Sequence, residues 1–367
     1  MATLEFRNIS HSYEYSFGKV KEKEKAEWVI NDLNVVWEDG TANALLGPSG
    51  GGKTTMLNII SGLLKPTEGQ VLIDGKDVTE FSPQERKIAQ VFQFPVAYDT
   101  MNVYNNLAFP LRNRGYAKNK IDSKVHKISE LLNLDEYLYE PAGSLNEGEK
   151  QKVSLGRGII RDDIVAMLLD EPLTLIDPKL KNGLRRTLMK IQRELKLTMI
   201  YVTHDQHEAL TFAEYVSILN AGTIIQSGSA TELYDNPKQP FVGFFVGSPG
   251  MNFIDCSLSG GNLDCKGFTL DIGSFLEENG VKEEGEVKLG IRPESLMISK
   301  KQTETSVPFN IQVIENFGHY QIITVEGMKK RLKAKISSDI GVSIGERIFL
   351  SFPKDKIILF KQDKRIL

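Results

Sequence analysis

Cysteine is almost absent: the 367 residues hold two, Cys256 and Cys265. They form no C-x-x-C pair and no metal-ligand spacing, which argues against a disulfide framework or a cysteine-bound metal and fits a reduced, cytoplasmic setting. No stretch approaches the ~18 apolar residues of a membrane span, and the opening "MATLEFRNIS" has no apolar signal core. Any business with a membrane is therefore expected to run through a partner. The net charge of −3 gives no basic excess, so nucleic acid is not an expected partner. Repeats, heptads and low-complexity tracts are missing too. What is present is an ordinary globular composition, 41% hydrophobic and 25% charged, in a chain long enough for two or three domains.

Up to about residue 240, short apolar runs alternate with longer helical patterns. "TANALLGPSGGGKTTMLNIISGLL" reads as strand, glycine loop and helix. "VAMLLDEP" (Val165 to Pro172) and "LTMIYVTHD" (Leu197 to Asp205) are continuous apolar strands, the second preceded by an amphipathic helix from Lys179 to Lys196. Buried parallel strands crossed by helices give an α/β fold. Pro237, Pro240, Gly243, Gly247, Pro249 and Gly250 then mark a linker. Beyond it, residues 241–367 carry short alternating strands, as in "VPFNIQVIENFGHYQIITVEG", and predict a small β-barrel or sandwich. The run Lys19 to Glu27 mixes both charges and reads as a solvated loop.

"GPSGGGKT", Gly47 to Thr54, fits G-x-x-x-x-G-K-[ST] between a strand and a helix. In such a loop backbone N–H groups turn inward around phosphate oxygens while the helix aims its positive end at them. Lys53 would reach the β- and γ-phosphates and the Thr54 hydroxyl would take a Mg²⁺ position. The nucleotide-binding set is thus Gly47, Pro48, Ser49, Gly50, Gly51, Gly52, Lys53, Thr54 and Thr55. In "MLLDEP", Asp170 at a strand end can hold Mg²⁺ through its water shell, and Glu171 can polarise an attacking water. His204, closing the next strand, can contact a γ-phosphate.

"SLNEGEKQKVSLGRGIIR", Ser144 to Arg161, reads as a helix with Asn146 at the N-cap and Glu149 three residues on, a capping-box pattern. Its acidic first turn suits the helix dipole but opposes any anion placed there.

These ordered motifs resemble the ATP-binding subunits of ABC transporters. "GPSGGGKTT" matches the P-loop, Gln93 in "VFQFP" the Q-loop, and "LNEGEKQK" the signature. "LLDEP" matches Walker B, Thr174 to Asp177 the D-loop, and His204 the switch histidine. "FVGSPGMNF" and "GIRPESL" are similar to the C-terminal regulatory domain of maltose-type and glycerol-3-phosphate-type importers. The resemblance implies a nucleotide-binding domain over 1–240, with a helical subdomain near 94–162, then an all-β, OB-like domain over 241–367. It implies ATP and Mg²⁺, with Glu171 as general base, His204 on the γ-phosphate, Gln93 sensing Mg²⁺ and water, and Tyr13 stacking on adenine. Metal contacts would come from Thr54, Gln93 and Asp170. Asn146, Gly148 and Asp177 would reach the ATP of a partner subunit. Phe94 to Tyr98 would lie near the groove that receives a permease helix.

One departure stands out. The family's signature reads Leu-Ser-Gly-Gly-Gln, whereas this chain has Leu145-Asn146-Glu147-Gly148-Glu149. Leu175 replaces a usually polar D-loop residue, and Pro178 follows Asp177. A sound P-loop with a weak signature suggests pairing with a second, unlike ATPase rather than with a copy of itself. The expected assembly adds two permease subunits and, indirectly, an extracytoplasmic solute-binding protein, at the cytoplasmic face of the membrane. The implied activity is ATP hydrolysis driving import of a small sugar, polyol or glycerol-type solute. A symmetric homodimer, a non-transport ABC ATPase and a silent ATP-binding subunit are the alternatives.

Overall fold

The computed structural model describes residues 2–16, 22, 25–303 and 305–367. Of the charged run Lys19 to Glu27, residues 19–21, 23 and 24 lie outside them. The chain divides into two compact units, Met1–Ala230 and Thr231–Leu367.

In the first unit, a six-stranded sheet runs Thr223–Gly228, Tyr215–Asn220, Ala42–Leu46, Thr198–Thr203, Ala166–Asp170, Ala89–Val91. All neighbours are parallel except the first pair. Its central strands read as unbroken apolar runs because both faces are covered. Leu168, Ile200 and Val202 pack with Met56, Leu57 and Ile60 of the helix Lys53–Ser61. Met167, Leu169, Met199 and Tyr201 face the other way, into a core shared with Leu107, Val125, Leu132 and Leu155. Those residues belong to the helices Val103–Arg112, Lys118–Leu132 and Glu147–Ile159. An antiparallel sheet, Ile30–Trp37, Leu4–His11, Glu68–Ile73 and Lys76–Asp77, covers the P-loop side.

The P-loop helix is stopped by Gly62 (φ 82°) and its last carbonyls are held by Arg86. That guanidinium, 2% exposed, donates to Ile59 O (2.5 Å), Ile60 O (2.9 Å), Thr79 O (2.8 Å) and Phe81 O (3.2 Å). A cation at a helix C-terminus complements the dipole as well as the orphan carbonyls.

The second unit begins before the boundary expected near 240, for a packing reason. Arg292 donates to the carbonyls of Gly243 (2.8 Å) and Tyr234 (2.6 Å), and Met251 packs against Gly243, where a Cβ would stand 2.9 Å from the Met251 Sδ. The short helices Ala230–Asp235 and Pro240–Phe245 are thereby joined to the β-strands C-terminal to them rather than serving as a free linker. The remainder is all-β: a six-stranded antiparallel sheet built on Asn252–Ser259 and Gly285–Ile291, and a five-stranded one built on Val307–Asn316 and Tyr320–Gly327. Their inner faces share one core that includes Cys256, Leu289, Phe309, Ile323 and Leu350. Cys256 and Cys265 stand across adjacent strands with Sγ atoms 2.6 Å apart, both buried. No helix among the described residues is long and apolar enough to cross a membrane.

Candidate nucleotide site

Four strands of the parallel sheet end on one edge, and each delivers a residue singled out in the sequence. Ala42–Leu46 leads into the Gly47–Gly52 loop, Thr198–Thr203 into His204, Ala166–Asp170 into Glu171, and Ala89–Val91 toward Gln93. The carboxyl edge of an open parallel sheet is where loops and helix starts converge on ligands.

The loop's glycines have separate reasons. Gly47 lies so close to the backbone of Leu219 that a Cβ would stand 2.3 Å from its carbonyl oxygen. Gly52, at φ 93°, adopts a left-handed conformation at the helix cap and faces Val29 O. No side chain caps the helix there, so its first N–H groups remain turned toward the loop. Lys53 is 6% exposed and donates from Nζ to Gly47 O (2.9 Å) and Pro48 O (2.8 Å). Burial lowers its pKa, while Glu171 and Asp170 act in the opposite sense. Thr54 faces outward and donates to Asp170 Oδ1 at 3.4 Å. Burial raises the Asp170 pKa; the Thr54 hydrogen bond and Lys53 lower it, and Glu171 raises it. A hydroxyl and a carboxylate side by side are hard oxygen donors, the set Mg²⁺ takes alongside substrate phosphates. The residues present fit that ion.

Glu171 has a left-handed backbone, φ 46°, pinned by its N–H on Val202 O at 2.9 Å. A non-glycine residue held there costs about 1 kcal/mol or more, a strain concentrated at functional positions. The turn aims the carboxylate: Oε2 accepts from the Thr174 hydroxyl (3.1 Å) and lies 3.1 Å from His204 Nδ1. The His204 ring is half exposed. Tyr13 opens the short helix Tyr13–Ser16 that follows the strand Leu4–His11. Its hydroxyl is 3.1 Å from Thr55 Oγ1, which sets the ring beside the P-loop helix, edge-on to His11. Gln93 is half-buried, just beyond Val91, which pairs with Leu169. No side-chain hydrogen bond among the described residues joins Gln93 to the P-loop.

Asn146, Gly148 and Asp177 lie elsewhere in the unit, on two helix starts. Asn146 Oδ1 accepts from Glu149 N (3.0 Å) and the Glu149 carboxylate accepts from Asn146 N (3.2 Å), a complete capping box. Asp177 likewise caps Pro178–Leu195, accepting from Lys179 N at 2.8 Å. Glu147 is exposed in the first turn, and Leu175 is 42% exposed.

Several structural partners of the site escaped sequence reasoning. Gln151 donates to Phe92 O (3.4 Å), and Arg157 donates to Val96 O while stacking on Tyr98 (4.3 Å), so the helix Glu147–Ile159 grips the segment around Gln93. That segment borders a surface groove of about 330 Å³ lined by Phe92, Val96, Phe109, Pro110 and Arg157, with Phe94 68% exposed nearby. Gln151 and Arg157 stand on a helix whose polar residues all look alike in sequence; only the identity of the facing loop separates them.

Comparison with known proteins agrees with this geometry. The ABC transporter family model matches residues 30–174, the MalK OB fold domain 247–296 and the TOBE domain 289–360. The sn-glycerol-3-phosphate import ATP-binding protein UgpC of Psychromonas ingrahamii is 35% identical over 99% of this chain and 95% of its own. The trehalose/maltose import ATP-binding protein MalK of Thermococcus litoralis is 38% identical over 90% and 93%. Among solved structures, the ATP-binding cassette MJ0796, a dimer in a post-hydrolysis state with ADP and Pi, is 26% identical. It superposes with a TM-score of 0.53 over 62% of this chain and 98% of that one. With the Gly47–Thr54 loop, Asp170, Glu171 and His204 on one sheet edge, and relatives of that identity along nearly its whole length, the chain belongs to the family of ABC transporter ATP-binding proteins, ATP hydrolases coupled to transport.

Proposed function

We propose that this chain is the ATP-hydrolysing subunit that energises import of a small sugar, polyol or glycerol-type solute through a membrane permease. It would act peripherally, at the cytoplasmic face. The observation that carries the reading is the Glu171 carboxylate, turned by a strained backbone toward His204 beside the Thr54–Asp170 pair. The import ATP-binding names of the two relatives, and the OB-fold and TOBE matches, supply the direction and class of solute.

In this reading the phosphates enter over Lys53, which exchanges the Gly47 and Pro48 carbonyls for phosphate oxygens. The N–H groups at the helix start receive the β-phosphate, and Tyr13 stacks on adenine. Thr54 and Asp170 hold Mg²⁺, with Gln93 sensing it; the ion neutralises charge on the phosphate oxygens when bound. Glu171 orients the attacking water and takes its proton, while His204, steadied through Nδ1, presents Nε2 to the γ-phosphate. The groove beside Phe94 to Tyr98 takes a helix of the permease.

Closure of the partner subunit's ATP site would depend on Asn146, Gly148 and Asp177 of this chain. Supporting an unlike partner is the state of Asn146 here, whose side-chain oxygen is engaged as a cap, and the two carboxylates in the same turn. The test is the solution mass of the Glu171→Gln chain with ATP and Mg²⁺, by size exclusion with light scattering. A persistent monomer that binds ATP is expected. A nucleotide-dependent dimer would refute the unlike partner in favour of a symmetric pair, and failure to bind ATP would refute the site.

A further inference from the structure

A buried carboxylate outside the nucleotide site closes a ring of contacts around it. Glu208, 3% exposed, stands on the helix Gln206–Phe212. Its Oε2 accepts from the hydroxyls of Tyr201 and Thr203, each at 3.0 Å, and its Oε1 accepts from Lys181 Nζ at 3.3 Å. Thr203 and Asp205 bracket His204. The Thr203 hydroxyl accepts from Asp205 N (3.0 Å) while donating to Glu208, so both chain neighbours of His204 are fixed through one carboxylate.

Lys181 extends the constraint to a different element. It lies in the first turn of Pro178–Leu195, with its own N–H on Asp177 O at 3.1 Å. Back along the chain, Thr174 returns to Glu171 twice, by N–H to carbonyl (3.2 Å) and by hydroxyl to Oε2 (3.1 Å). The His204–Glu171 contact completes the circuit. Glu171, His204 and the 174–177 loop therefore cannot shift independently while Glu208 holds Thr203 and Lys181 together.

We infer that Glu208 is a positioning residue for ATP hydrolysis, tying the strand that ends at His204 to the helix that begins after Asp177. The inference rests on the reading of Glu171 as the base. Replacing one carboxylate oxygen by an amide keeps the volume but gives either Lys181 or the two hydroxyls a donor where an acceptor stood. Lys181→Met instead leaves the carboxylate and its hydroxyl partners in place and cuts the link to the helix.

The experiment measures ATP turnover, KM and ATP affinity of the transporter assembled with this full-length chain as wild type, Glu208→Gln, Lys181→Met, Lys181→Arg and Glu171→Gln. Glu208→Gln is expected to lower kcat roughly tenfold with KM within about twofold, below the hundredfold that an ångström of misplacement can cause. Lys181→Met should lower kcat in the same sense, and Lys181→Arg should restore it. If Glu208→Gln fails to fold, the Lys181 pair decides the matter. Unchanged kcat in these variants, or a rise in KM alone, with turnover lost in Glu171→Gln, overturns the inference and leaves the base assignment standing. Wild-type turnover in Glu171→Gln overturns the base assignment and the inference with it.

Discussion

Restoring the signature turn is the perturbation that separates local stability from assembly. In Glu149→Gln the capping box survives, since glutamine at that position can still receive the Asn146 N–H now bound at 3.2 Å. Helix stability should change by no more than about 0.5 kcal/mol, the worth of one charge at an exposed helix start. Glu147 makes no salt bridge among the described residues and points into solvent, so its removal also leaves the fold intact. Assembly is different. A carboxylate roughly 7 Å from a partner's γ-phosphate is repelled by about 0.6 kcal/mol in full solvent and about 2 kcal/mol at an effective dielectric near 20. That spans roughly threefold to thirtyfold in closure per charge. The triple variant Asn146→Ser, Glu147→Gly, Glu149→Gln should therefore raise ATP turnover in the assembled transporter. In the Glu171→Gln background it should also raise the population of ATP-bound homodimer, read by light scattering. Unchanged turnover and unchanged mass, with thermal denaturation confirming a folded variant, would refute the electrostatic argument.

Arg86→Met strips the P-loop helix of its C-terminal donors and should destabilise the first unit by on the order of 3 kcal/mol, measured by denaturant unfolding. Lys53→Ala should abolish measurable ATP binding while leaving the melting temperature near wild type, because the loop carbonyls it holds can turn to water. Gly47→Ala should fail through the Leu219 carbonyl, with lost stability, whereas Gly50→Ala, which meets open space at φ 79°, should fold with a smaller penalty. Cys256 and Cys265 should close a disulfide with a small disulfide oxidant such as oxidised glutathione, seen as loss of both titratable thiols; two free thiols after complete oxidant treatment of the unfolded-then-refolded chain would contradict their pairing across the strands.

The sequence by itself determined the family and the local structure that short-range rules govern. Gly47 to Thr54 named a phosphate loop because the spacing fixes which backbone groups can turn inward. Asn146 and Glu149 named a capping box because their partners are three residues apart, and the structure forms it. The unbroken apolar runs before Asp170 and His204 gave a sheet buried on both faces. Tertiary structure decided what depends on segments brought together from afar. Gln151 needed the Phe92 carbonyl, Arg86 the carbonyls of Ile59 and Ile60, and Glu208 the lysine at 181. None of those pairings has a local period, so no pattern in the chain announces them. Cys256 and Cys265 show the same division: nine residues apart and without a motif, they met only when two strands folded back into register. Spacing specifies chemistry over a single turn, while long-range contact is set by packing, and packing is a property of the whole chain.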